Sequence, residues 1–167
     1  MNKNKYRNYY IGIGIAIVLI ISFLFGIKMY QNKLIAKYEN SYLVSSGAVS
    51  LSFSKLNEIE QVFSEAPEEY FVFITYTKDE NEYKLEKKLK TIIDNYGLKD
   101  TFYIIDITKE KNDDDLDEKL NNKLKLNKDR INSVPIIIYF EKDSYKIIDP
   151  NKLQNFLEKN EFEKVSQ

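Results

Sequence analysis

Hydrophobic and polar positions change their rhythm about thirty residues into the chain. Residues 8–27 form an uncharged run of 20 residues between Arg7 and Lys28, apolar through its centre apart from Ser22. A helix of that length rises about 30 Å, the hydrocarbon thickness of a bilayer. Tyr9, Tyr10 and Tyr30 stand at its two ends, where an interfacial aromatic belt would place them. Residues 31–47 are polar and uneven, which predicts a juxtamembrane extension of that helix and then a linker ending in Ser45-Ser46-Gly47.

From Ala48 onward the period switches repeatedly between strand and helix. Residues 49–53 alternate strictly and predict a half-buried strand. Ser54 can cap a helix carrying Leu56, Ile59, Val62 and Phe63, which stops near Pro67. Residues 70–76 are a continuous β-branched and aromatic run, as expected of a strand buried on both faces. Asp79-Glu80-Asn81-Glu82 opens a helix with the stripe Leu85, Leu89, Ile92, Ile93, Tyr96, and Gly97 stands where a helix-terminating glycine belongs.

The remaining elements follow the same logic. Residues 101–107 predict another buried strand, and 115–126 an amphipathic helix on Leu116, Leu120 and Leu124. Residues 134–140 and 145–148 predict a hairpin about a turn at 141–144. Asp149-Pro150 supplies an N-cap and an N1 proline for a last helix bearing Leu153, Phe156 and Leu157. The order β-α-β-α-β-α-β-β-α predicts an α/β domain with a mixed sheet and helices on both faces. Three segments result: a basic tail and transmembrane anchor over 1–30, a linker over 31–47, and a domain over 48–167.

A cleaved signal peptide is the competing reading of the first segment. The apolar run is longer than the usual 7–15 residues and no small-x-small cleavage site follows it, which favours a retained anchor. Lys3, Lys5 and Arg7 precede the run, while Lys28, Lys33 and Lys37 follow it and Glu39 partly offsets them. The positive-inside rule then favours a cytoplasmic N-terminus and an extracytoplasmic domain on a single-pass anchor.

Charge sharpens the picture. All 26 acidic residues lie at or after Glu39, and 19 of the 25 basic ones lie beyond Lys37, so the soluble part beyond Lys37 carries a net charge of −7. That field opposes nucleic acid and anionic lipid as partners. The chain holds no cysteine and no histidine. It therefore lacks thiol redox chemistry, thiolate metal sites and the Ser-His-Asp triad. Its five glycines form no phosphate loop. No catalytic, cofactor-binding or metal-binding residue is assigned, and no enzyme activity is expected.

The element order, with Val134-Pro135 opening the penultimate strand, resembles the thioredoxin fold over about residues 48–162. Matching residues 71–74 to the thioredoxin strand and Leu89, Ile92 and Ile93 to the helix after it needs no gap. The match puts Asp79 and Glu82 where the two cysteines of the CxxC motif would be. Among thioredoxin-like proteins the chain is most similar to the membrane-anchored or exported members of Gram-positive bacteria, including the bacteriocin transport accessory group. The resemblance implies a cis Val134–Pro135 bond facing the Asp79 loop, and a main-chain site before the proline for an extended peptide.

The candidate partner-binding face is accordingly Lys78, Asp79, Glu80, Glu82, Val134 and Pro135. Asp79 and Glu82 also have a plain structural role as the N-cap and N3 residues of an acidic capping box. The acidic run Asp113, Asp114, Asp115, Asp117, Glu118 lacks the glycine and the terminal glutamate of an EF-hand loop and reads as a solvated helix start. The expected function is a redox-inactive, membrane-tethered domain that binds a protein or peptide at the outer membrane face, in peptide or bacteriocin export or a secretion complex. The alternative is a structural subunit of a secretion or conjugation complex, assembled through the anchor helix.

Overall fold

The computed structural model describes residues 3–126, 131, 133–142 and 144–165, and for residues 3–9, 11 and 34 the backbone alone. Asp143 of the predicted turn and the side chains of Tyr9, Lys3, Lys5 and Arg7 therefore lie outside what is described. The chain divides into two compact units, Met1–Lys37 and Tyr38–Gln167.

The first unit is helical. Helix α1 runs Lys3–Tyr38, and its portion Gly12–Tyr38 is long and apolar enough to cross a membrane, a property that a signal sequence shares. Ile13, Leu19, Phe23 and Phe25 are all exposed. A helix apolar on every side is matched to hydrocarbon rather than to water.

The second unit is a five-stranded mixed sheet with strand order β1-β3-β2-β4-β5. Strands β1 (Ser52–Phe53), β3 (Phe102–Asp106) and β2 (Glu69–Thr75) are parallel, whereas β4 (Ile136–Glu141) and β5 (Ser144–Ile148) are antiparallel additions. Alternate residues of β2 feed opposite cores. Tyr70, Val72 and Ile74 pack with α3 (Ile59–Glu65) and α5 (Leu116–Lys123), while Phe71 and Phe73 pack with α4 (Glu80–Tyr96) and α6 (Leu153–Lys159). The predicted order and the two helical layers are present, and they are consistent with a thioredoxin-like fold.

Several expectations need correction. The 49–53 strand shrinks to Ser52–Phe53, because Val49 turns into the α4 core and pairing with β3 covers only Ile104 and Ile105. Ser54 does not cap its helix with its side chain. Instead the Glu58 carboxylate accepts the Ser54 and Lys55 amides at 2.8 and 3.1 Å, and a 3-10 turn, Leu56–Glu58, precedes α3. Helix α5 is shorter than 115–126. Lys125, at φ 55°, takes the left-handed conformation just after it, and the Leu126 amide closes on Asn121 O at 3.0 Å.

The largest departure concerns the predicted linker over 31–47. Helix α1 persists to Tyr38, a short helix α2 (Tyr42–Ser45) follows, and Leu43 is fully buried among the α4-side core residues. The domain thus begins ten residues before Ala48, at Tyr38. Leu43 and Val44, an apolar pair set between Ser41 and Ser45, carry no periodic signal, although burying a side chain such as Leu43 contributes about 1.5–3 kcal/mol.

Candidate functional site

The candidate face lies at the carboxyl end of the parallel strands. Thr75 closes β2 opposite Asp106, the last residue of β3. On the other side Ile74 pairs with Ile136, so the adjacent Pro135 falls at the same end of the sheet. The Val134–Pro135 bond is cis, and both residues are half-buried. The register therefore brings Val134-Pro135 and the β2–α4 loop, Tyr76 to Asp79, to neighbouring strand ends.

Lys78 takes φ 63°, which turns the chain so that Asp79 meets the first turn of α4. Asp79 Oδ1 accepts the amides of Asn81 at 2.8 Å and Glu82 at 3.2 Å. This is the expected cap, but the reciprocal half of the box is different. Glu82 does not reach back to Asp79; Thr75 Oγ1 donates to Glu82 Oε2 at 3.4 Å. Burial, and then the negative charge of Asp79, push the Glu82 carboxyl above its ordinary range. Lys78 and Glu80 are exposed, and Glu80 pairs with Lys84 at 2.8 Å.

Behind this loop sits a compact polar network. Asp106 accepts the Thr77 hydroxyl at 3.1 Å, the Thr108 amide at 2.9 Å and the Thr108 hydroxyl. The Thr77 amide in turn donates to Thr108 Oγ1 at 2.7 Å. Asp106 thus has the partners that a carboxylate on a buried strand requires, and its role is to fix the loop. Lys111 lies over the Tyr76 ring at 4.6 Å. Elsewhere, Lys119 bridges Asp113 and Asp115, each at 2.8 Å, so two carboxylates of the acidic run are paired at the start of α5.

One residue of this region carried no assignment from sequence. Glu86 is only 2% exposed. Ser41 Oγ donates to its Oε2 at 2.8 Å and the Leu43 amide at 3.2 Å, and the Tyr42 amide points to the same oxygen. The buried line of α4 runs Glu86, Leu89, Ile93, Tyr96, with Leu85 and Ile92 at its half-buried margin. The signal was available: Glu86 stands three residues before Leu89 and seven before Ile93, at a core position of the stripe.

Among the described residues, two of the clefts lie at the ends of β2. One of about 360 Å³ lies beside the β2–α4 loop, between α2 and β1, with Val44, Phe53, Ile104, Thr77 and Asp106 in its walls. The other, about 500 Å³, lies at the opposite end of β2 around Glu69, Tyr139, Glu141 and Phe162, where the Tyr139 hydroxyl donates to Glu69 at 3.1 Å. The larger cleft is therefore remote from the candidate face.

No family model matches the chain, and no curated protein does. Among solved structures it is similar to the thioredoxin Mala s 13 of Malassezia sympodialis, at 18% identity and a TM-score of 0.44, over 65% of this chain and 88% of that one.

Proposed function

We propose that the chain is a redox-inactive, membrane-tethered thioredoxin-like protein that captures a protein or peptide partner at the outer face of the membrane. The observation that carries this reading is the shared position of the Asp79 loop and Val134-Pro135 at one end of the sheet, in a chain without cysteine. Main-chain groups beside Pro135 offer strand-type bonds to an extended segment, and Lys78, Asp79, Glu80 and Glu82 supply charge next to them. An apolar N-terminal helix would hold such a face near membrane partners, where a high local concentration lets a weak site suffice. Export of a peptide or bacteriocin by a Gram-positive bacterium, or a secretion complex, is the setting this reading favours.

Photo-crosslinking in native membranes tests it, with probes at Lys78 and Glu80. A crosslink to a transporter, peptidase or secretion subunit that disappears on charge reversal of Asp79 and Glu82 is the expected outcome. A clean lane at both positions would refute partner capture at this face. A second reading, assembly through α1, draws on the open space beside Gly12 and Gly14 in that helix. Replacing α1 with an unrelated span separates the two: capture through the domain survives the exchange, and assembly through the helix does not.

A further inference from the structure

We propose that residues 38–45 form a clasp on α4 whose closure is set by protonation of Glu86, and that the clasp holds the loop 76–79 in place. Two sets of contacts define it. The first is the convergence of the Ser41 hydroxyl and the Tyr42 and Leu43 amides on a single, nearly fully buried oxygen of Glu86. The second is the Lys78 amide, which donates to Tyr38 O at 2.7 Å and so ties the loop to the same segment. The Tyr83 ring packs between those of Tyr38 and Tyr42, at 5.1 and 5.2 Å, and fills the space between the two sets.

The chemistry of Glu86 makes the clasp responsive. From α4, the groups around it are Glu82 one turn earlier, the Tyr83 phenol, and Lys87, whose ammonium lies 5.6 and 6.0 Å from the Tyr42 and Tyr83 ring centres. The loop contributes Asp79, and the clasp itself the phenols of Tyr38 and Tyr42. Among the described residues no cation forms an ion pair with Glu86. Burial pushes its carboxyl above the ordinary 4.5, and Glu82 adds to this, against the lowering effect of the Ser41, Leu43 and Tyr42 donors. An acid with a raised value in the docked state binds its proton more readily there than when released. The clasp is therefore tighter below the ordinary carboxylate range and loosens as pH rises through the raised value. A protonated carboxyl keeps a carbonyl oxygen facing the three donors, so the contacts persist, each weaker than to a carboxylate, while the cost of burying a charge is removed.

Only the consequence for the partner face rests on the function proposed above; the clasp itself is measured without a partner. Amide hydrogen exchange on the full chain in detergent micelles, corrected for intrinsic rates, reads Tyr42, Leu43 and Lys78 against Ile104 in β3. Glu86→Leu strands three donors and should speed exchange at the three clasp amides by about tenfold, with Ile104 unchanged. Glu86→Gln keeps an uncharged acceptor and should stay protected while losing the pH dependence seen in the native chain. Unchanged clasp amides in Glu86→Leu, or a Glu86→Gln profile that still varies with pH as the native one does, would overturn the proposal. If Glu86→Leu does not fold, the native and Glu86→Gln pH profiles decide. A native chain that gives no crosslink at either Lys78 or Glu80, with exchange as expected, refutes the partner reading alone.

Discussion

At Asp79 a single carboxylate oxygen gathers two amides of the first turn of α4, which leaves fewer of that turn's donors to solvent. Asp79→Ala should lower stability by about 1 kcal/mol, and Asp79→Asn should restore most of it, read as shifts of the denaturation midpoint. Gly97 closes the same helix at φ 63°, and Val165 side-chain atoms lie 3.4 and 3.5 Å from where a Cβ would be. Gly97→Ala should therefore cost about 1 kcal/mol in the same assay, from the left-handed backbone. Both residues were legible in the sequence because caps are local: donor, acceptor and signal sit within a few positions. For Glu86 the stripe gave the core position but not the partner, since Ser41 stands 45 residues away and no local rule pairs them. Glu82 was half legible. Its place in a capping box was readable, but its turn toward Thr75 depends on where β2 ends.

Elements with a strong period came through nearly whole. The buried runs became β2, β3 and β4, and the leucine spacing became α5, because burial on one or both faces leaves a regular mark on the chain. Elements held by contacts distant in sequence did not. The alternation at 49–53 would suit a five-residue strand, yet β1 has only two residues because pairing depends on what β3 offers. Helix α2 is four residues long and owes its place to Leu43 and to the carboxylate of another helix. The end of α5 also escaped a propensity argument, since Lys125 occupies the left-handed position that glycine usually fills. Lys125→Gly should accordingly raise stability by about 1 kcal/mol, visible as a higher midpoint with an unchanged m-value.

For the molecule as a whole, charge and apolarity are segregated: six basic and no acidic residues precede Tyr38, and the remainder is strongly acidic. If α1 is retained as an anchor, alkaline carbonate should leave the protein in the membrane pellet, and N-terminal sequencing of the mature chain should find residues 8–27 intact. Release into the supernatant, or a new N-terminus beyond residue 30, would make α1 a signal sequence instead. The sheet margins bear on a different property, behaviour at high concentration. One margin, β1, offers only Ser52 and Phe53, and the other, β5, carries exposed Lys146 at its centre. A second copy would find almost no main-chain ladder on one side and an opposing lysine on the other. The sheet is thus a poor template for its own extension, and crowding should not drive these domains into fibres.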